Sequence, residues 1–384
     1  MKRVLLLSAY HAHSHNQWCR GLAQYFTQWQ WTVMTLPARH FSWRMRGNSL
    51  TWGLGNYPEL EADYDLILAT SMVDLTALRG FRPHLAKVPT VVYFHENQFA
   101  YPASLLQQGL VEIQLTSLYS ALVADRVLFN SRYNMDTFLT GGRRLLKKMP
   151  DAVPVGLMDS IQNKSHVLPV PLDDSQGRTR CQSAAGSKVL EIVWNHRWEW
   201  DKGPDILLRL VSTLAQRHLL DNSLRFHVIG QQFRRVPKEF EQIELLLVEH
   251  QALGAWGYVE SRESYLKLLS QSHMVLSTAR HDFQGLALLE AVMAGCIPAV
   301  PRRLAYPEWF GERRCHGCDD KDPQIEVDAL IQRILELKTA NGATTDSARL
   351  ARGALVDDQA ALLEQLSGLG WSHLGPQYHH RLII

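Results

Sequence analysis

Short apolar runs rich in β-branched residues alternate along the chain with longer amphipathic stretches, the signature of strands followed by covering helices. In the first half this predicts strands over Arg3–Tyr10, Thr32–Pro37, Tyr64–Thr70, Thr90–His95, Arg126–Asn130 and His166–Pro169. Helices are clearest over Leu105–Ala124 and over Arg132–Leu139, the second opening after Ser131, a good N-cap. The second half predicts strands over Val189–Trp194, Leu224–Gly230, Ala252–Tyr258, Met274–Thr278 and Pro298–Val300, separated by helices near Pro204–Gln216, Phe240–His250, Ser264–Ser270 and Leu286–Ala294. Such alternation means α/β architecture, with parallel sheets covered on both faces. Between the halves, Leu172–Lys188 has almost nothing to bury and reads as a linker. The expected organisation is therefore one doubly wound domain over residues 1–172, a linker over 173–187, a second such domain over 188–350, and a helix with a His-rich, disordered or lightly packed tail over 351–384. Two such domains present a cleft between the carboxyl edges of their strands, where open α/β sheets place ligands.

Composition narrows the class. Across 384 residues, 46% hydrophobic and 20% charged excludes disorder. The apolar runs fall far short of the roughly 20 residues a membrane span requires, and the N-terminus lacks the long apolar core and cleavage site of a signal peptide. A cytoplasmic protein without a transmembrane segment is expected. Five sparse cysteines agree with a reducing compartment, and Cys315-His-Gly-Cys318 reads as packed or surface thiols. A net charge of +2 excludes a strongly basic coat, yet the charge is uneven. Residues before Leu172 hold 16 Lys and Arg against 11 Asp and Glu, and the rest hold 24 against 27. The basic clusters there, Arg39 to Arg46 and Arg143 to Lys148, accompany five of the eleven tryptophans: Trp18, Trp29, Trp31, Trp43 and Trp52. Cations interleaved with aromatics suit a phosphate backbone with an unstacked base; a solvated loop beside core aromatics is the competing reading.

The strongest chemical constellation follows the first strand of the second half. Arg197 and Lys202 sit on the loop leaving its carboxyl edge, where a guanidinium and an ammonium together can neutralise a diphosphate. An ion-pair cluster with Glu199 and Asp201 is the alternative. Further on, Asp282 falls in a loop after a strand, Gly285 at a helix start and Glu290 inside that helix. Free N–H groups of Gln284, Gly285 and Leu286 at the helix end would hold a phosphate. Glu290 can accept from both ribose hydroxyls and Asp282 from hydroxyls of a sugar, unless Glu290 is a buried carboxylate with an arginine partner. In the first half, Tyr93-Phe-His-Glu-Asn-Gln98 directly follows a buried strand, and His11 to Trp18 form a polar loop toward the same cleft. Glu59 to Asp65 lie at a strand's amino end and read as solvated edge. No G-x-G-x-x-G, Walker A, H-E-x-x-H or G-x-S-x-G occurs.

Together these residues resemble the retaining GT-B glycosyltransferases, two Rossmann-like domains facing a central cleft. Arg197 and Lys202 match that family's cationic pair; Asp282 and Glu290 match its two acids separated by seven residues, with Asp where the family has Glu. The sequence is more closely similar to the tRNA-queuosine mannosyltransferases through Ser14-His-Asn-Gln17, Leu36-Pro-Ala-Arg39, Trp43-Arg-Met-Arg46, Tyr93 to Gln98, Phe129-Asn-Ser131, Trp194 to Lys202, Ser277 to Glu290 and Leu304-Ala-Tyr-Pro-Glu308. This resemblance implies a nucleotide-sugar domain after the linker and an acceptor domain before it. It implies GDP-mannose as donor, no metal or other cofactor, and the cyclopentene-diol of queuosine in an aspartate tRNA as acceptor. His95, Arg197, Lys202 and Asp282 are then the catalytic set and Gln284, Gly285, Leu286 and Glu290 further donor contacts. Ser14, His15, Gln17, Glu96, Asn97, Gln98, Trp43, Arg44 and Arg46 face the acceptor. A lipid or small-metabolite acceptor, and a non-catalytic nucleotide-sugar or RNA-binding module, stand as alternatives.

Overall fold

Val4, Leu5, Leu6 and Leu7 have no solvent exposure because they form the middle of strand β1 (Arg3–His11), covered on both faces. The computed structural model describes residues 1–100, 110–174, 189–341 and 346–384. After β1 come α1 (His13–Tyr25), β2 (Gln30–Pro37), α2 (Phe41–Leu54), β3 (Leu66–Thr70), α3 (Leu75–Phe81), β4 (Thr90–Phe94), α4 (Leu110–Val123), β5 (Arg126–Phe129), α5 (Arg132–Leu146), α6 (Leu157–Asn163) and β6 (Ser165–Val167). The six strands are parallel in the order β2-β1-β3-β4-β5-β6. One face packs Leu5, Leu7, Ile67, Ala69, Val92, Phe94, Val127 and Phe129 into a single core, as the two-residue period of strands requires.

The second unit runs through β7 (Leu190–Trp194), α7 (Pro204–Gln216), β8 (Leu224–Ile229), α8 (Glu239–Glu249), β9 (Leu253–Gly257), α9 (Arg262–Gln271), β10 (Met274–Leu276), α10 (Leu286–Met293), β11 (Ile297–Pro301), α11 (Tyr306–Phe310), β12 (Cys315–His316), α12 (Pro323–Asn341) and α13 (Asp346–Ser367). Its parallel order is β12-β11-β10-β7-β8-β9. The order reverses between β7 and β10, and in the first unit between β1 and β3. Reversal points open the crevices in which doubly wound sheets bind ligands.

Residues 1–171 and 369–384 form the first unit, and 172–368 the second. The carboxyl tail, expected to be disordered or lightly packed, is instead a helix, α14 (Trp371–Leu382), belonging to the first unit. Its Tyr378 is fully buried: the Trp18 indole N–H donates to its hydroxyl at 3.0 Å, and that hydroxyl lies 3.0 Å from the Pro169 carbonyl. Lys2 donates to the Leu382 carbonyl at 2.7 Å and Arg126 to that of Arg381, cations meeting the negative end of a helix. Two stretches are helical, one expected to be a polar loop and one a solvated loop on the competing reading. His11 to Trp18 run into α1, which exists because Trp18, Cys19 and Leu22 form a buried stripe. Arg39 to Arg46 run into α2, where buried Asn48 donates to the Met72 carbonyl at 3.0 Å and accepts from the Asp74 N–H at 3.1 Å. Ser131 does cap α5, accepting from the Asn134 N–H, and the helix continues to Leu146, beyond the expected Leu139. The expected helix start near Leu105, and the linker from residue 175 to 188, lie outside the described residues.

Candidate functional site

At the second unit's reversal point two loops meet, one after β7 and one after β10. Lys202 is buried at the end of the first; its ammonium donates to the His281 carbonyl and lies 3.3 Å from Asp201 Oδ2. Thr278 Oγ1 donates to the Lys202 carbonyl at 2.8 Å and the Arg280 N–H to that of Asp201 at 2.8 Å, so the loops hold one another in register. Gly203, at φ 68°, permits this approach, because a Cβ there would stand 2.2 Å from the Thr278 carbonyl oxygen. Burial opposes ionisation of Asp201, but Lys202 beside it wins and holds the carboxyl well below the usual carboxylate range. Arg197 lies at the solvent edge, 2.9 Å from Glu199. Both expected cations are thus present at one carboxyl edge, each next to the acidic neighbour that the ion-pair alternative named.

Beneath Lys202 runs a polar chain that the sequence reading passed over. His196 Nε2 is 2.9 Å from Ser277 Oγ, which is 3.0 Å from the Tyr306 hydroxyl, and that hydroxyl donates to Asp282 Oδ2 at 3.4 Å. Burial first, and then Lys202, bring His196 down to about 3, so its ring is neutral. An unfolded histidine protonates near pH 6.5; between that pH and about 3 the unfolded chain takes up a proton that the native site refuses. Stability should therefore fall as the pH drops through this window. In His196→Gln the slope should flatten by about 1.4 kcal/mol per pH unit, which denaturant titrations between pH 4 and 7 measure.

Asp282 also faces burial, offset by the Lys202 charge and by the Gly285 N–H bond, and lies below the usual carboxylate range. Its Oδ1 accepts from the Gly285 N–H at 2.8 Å and from that of Gln284 at 3.4 Å. These two N–H groups, expected free for a phosphate, instead secure the Asp282 turn. Glu290 is buried on α10, and Arg262 grips it with two bonds of 2.6 and 3.1 Å. The arginine-partner alternative is therefore what the site shows, with Tyr265 donating at 3.3 Å as well. Arg262 lies 28 residues upstream on another element, and no local signal in the sequence ties it to Glu290.

In the first unit, His95 follows β4 and is buried in an aromatic box: ring centroids lie 4.2 Å from His15, 4.6 Å from Tyr93 and 4.8 Å from Trp18. Burial, reinforced by His15 and His11, keeps it neutral, and its Nε2 has no hydrogen-bond partner among the described residues. Glu96 is half-buried, Ser14 half-buried and Gln17 exposed. Gln98 Oε1 is likewise buried without a partner among the described residues. Asn97 is structural: its amide donates to Asn134 and Thr137 and its Oδ1 accepts from the Phe99 and Ala100 N–H groups. Arg44, expected on the acceptor, is buried with its Nε on the Pro37 carbonyl at 3.2 Å, whereas Trp43 and Arg46 on the same helix are exposed. Cys315 is buried, and burial pushes its thiol up to about 12, so it is protonated and unreactive. No cluster of three metal-ligating side chains occurs among the described residues, and none of their helices is long and apolar enough to cross a membrane.

A family model described as the N-terminal part of tRNA-queuosine alpha-mannosyltransferase matches residues 3–172. The tRNA-queuosine alpha-mannosyltransferase of Drosophila melanogaster is 33% identical over 324 residues, 82% of this chain and 83% of the fly protein. Among solved structures, sucrose-phosphate synthase from Thermosynechococcus elongatus superposes with a TM-score of 0.70 at 14% identity, covering 99% of this chain and 98% of that one. Anabaena HepE, solved with UDP and glucose, gives 0.66 at 14% identity, covering 100% and 99%. At that identity the likeness is one of fold, and it bears out the GT-B architecture.

Proposed function

The chain belongs to the tRNA-queuosine alpha-mannosyltransferase family, and from that membership we propose that it moves mannose from GDP-mannose, with retention, onto the cyclopentene-diol of queuosine in an aspartate tRNA. The observation that carries this reading is the likeness to the fly enzyme, which extends over a stretch longer than either unit. On the donor side, Lys202 and Arg197 lie where a departing diphosphate develops the most charge, and as fixed cations they stabilise it without a metal ion. Asp282, ionised and turned by Gly285, accepts from hydroxyls of the sugar; Glu290, already oriented by Arg262, accepts from the ribose. His95, neutral within its ring box, orients the sugar. A donor phosphate oxygen takes the proton of the attacking hydroxyl, so that attack and departure share one face and configuration is kept.

A nucleotide sugar and a tRNA both belong to the cytoplasm. If the reading holds, GDP release from GDP-mannose accelerates on adding tRNA that contains queuosine and stays at its basal rate with tRNA that lacks it. Release stimulated instead by anionic lipid would favour the lipid alternative. On the acceptor side, Trp43 lies flat over Gly47, where an added Cβ would fall 2.5 Å from the indole, and the ring stays exposed. A base stacked on it contributes about 1–3 kcal/mol, so Trp43→Ala should weaken tRNA binding at least several-fold and Trp43→Phe less, read by fluorescence anisotropy of labelled tRNA. Equal affinity in all three proteins removes Trp43 from the interface.

A further inference from the structure

The connection between β8 and α8, residues 231–238, contains three cations, Arg234, Arg235 and Lys238, and no acid, although the second half of the chain carries an acidic excess. All three cations are exposed, and their side chains make no ion pair or hydrogen bond among the described residues. Phe233 and Val236 stand beside them at 40% and 41% exposure. Phe233 therefore keeps about two-fifths of its surface open to water amid cations without ion-pair partners.

Its position gives it meaning. The connection leaves the carboxyl end of β8, immediately beside β7 in the same parallel sheet, and therefore opens on the edge that holds Lys202 and Arg197. The two connections are joined directly: the Trp198 N–H donates to the Gln231 carbonyl at 2.9 Å. Gly230, at φ 154°, backs so closely onto the donor-side loop that a Cβ would stand 1.8 Å from the His196 carbonyl oxygen. Residues 231–238 are thus fixed at their root to the loop carrying Arg197 and Lys202, while Phe233, Arg234 and Arg235 stay exposed.

We propose that residues 231–238 grip the sugar-phosphate backbone of the RNA acceptor beside the donor site, with Arg234 and Arg235 on phosphates and Phe233 under an unpaired base. The inference rests on the RNA acceptor argued above. An acceptor hydroxyl must reach the sugar's anomeric carbon, so the phosphates flanking the modified nucleoside pass along this rim. Cations that neutralise phosphates release counterions, and aromatic rings stack on splayed bases without regard to sequence.

The test uses the full chain with wild-type side chains, with Arg234→Ala and Arg235→Ala together, and with Phe233→Ala alone. Binding of queuosine-containing tRNA is followed over a range of salt, and GDP binding by calorimetry. The double variant should bind tRNA about tenfold more weakly at low salt, with a logarithmic salt slope shallower by about one to two. Phe233→Ala should lose about fivefold or more with the slope unchanged, and both variants should keep wild-type GDP affinity and melting temperature. Unchanged tRNA affinity and slope in both variants, while the wild type still modifies tRNA, would overturn the inference alone. A parallel loss of GDP affinity would also overturn it, making the loop part of the donor site. Failure of the wild type to bind or modify any tRNA removes the acceptor reading, and this inference with it.

Discussion

Lys202→Met should lower kcat for hexose transfer by about a hundredfold or more, the usual loss when one preorganised partner of developing charge is removed. The ammonium is buried and held by the His281 carbonyl and Asp201, so in the proposed role it would meet a departing diphosphate without reorganising. The same substitution takes the ammonium from Asp201, which is 1% exposed and keeps His281 at 3.7 Å, and breaking a buried pair by removing one member costs about 3–5 kcal/mol. Loss of activity alone is therefore ambiguous. Asp201→Asn combined with Lys202→Met removes the stranded charge; the pair should regain most of the lost stability and none of the lost rate. Recovery of transfer in the double variant would mean that Lys202 serves the fold and not the reaction. Lys202→Arg should also fail, because a planar fork cannot occupy the site of a compact ammonium.

An equally large effect on stability is expected at Arg303, which sits between the loop after β10 and α12. Its guanidinium makes two bonds, 2.7 and 3.0 Å, to Glu326, which is 1% exposed, and donates to the carbonyls of Thr278 and Ala279 at 3.1 and 2.8 Å. Arg303→Ala leaves a carboxylate buried without its partner and two loop carbonyls unmatched, and should destabilise the second unit by about 3–5 kcal/mol in urea titrations. Arg303→Met with Glu326→Leu replaces the pair by apolar groups and should recover most of that loss. Transfer should remain impaired in the recovered protein, since the Thr278 and Ala279 carbonyls, on the loop that meets Lys202, then lose the guanidinium that fixes them. A single substitution that leaves the urea midpoint unchanged would show that the pair contributes nothing net.

Why the sequence was readable in some places and opaque in others follows from where each element gets its stability. The strands were legible because burial on both faces demands continuous apolar runs, and α7 appears with the bounds its Gly-Pro start announces. Helices α1 and α2 were not, since their residues have weak intrinsic helix preference and are held by Trp18, Leu22 and Asn48 in the tertiary structure. The tail misled for the same reason: Tyr378-His-His looks solvated until Trp18 and Tyr93 supply partners some 285 to 360 residues away in sequence. At the candidate site, Arg197, Lys202 and Asp282 stand out in the sequence because polar residues in the loop after a buried strand are rarely there for packing. His196 and Tyr306 lay within motifs already noticed, yet their chain through Ser277 exists only across loops, and Arg262 and Arg303 have no local mark at all. Arg44 shows the converse, a charge that looks exposed in a basic cluster and is buried by the helix that the cluster forms.

As proposed, the enzyme delivers its sugar to one modified nucleoside and to no other. Incubating the pure protein with isotope-labelled GDP-mannose and total tRNA from cells with and without queuosine, followed by nucleoside mass spectrometry, tests it directly. Labelled hexose should appear on the queuosine nucleoside and on no other, and none at all with tRNA from the queuosine-free cells. Label on tRNA that lacks queuosine, or a bound donor transferred to neither pool, would contradict it.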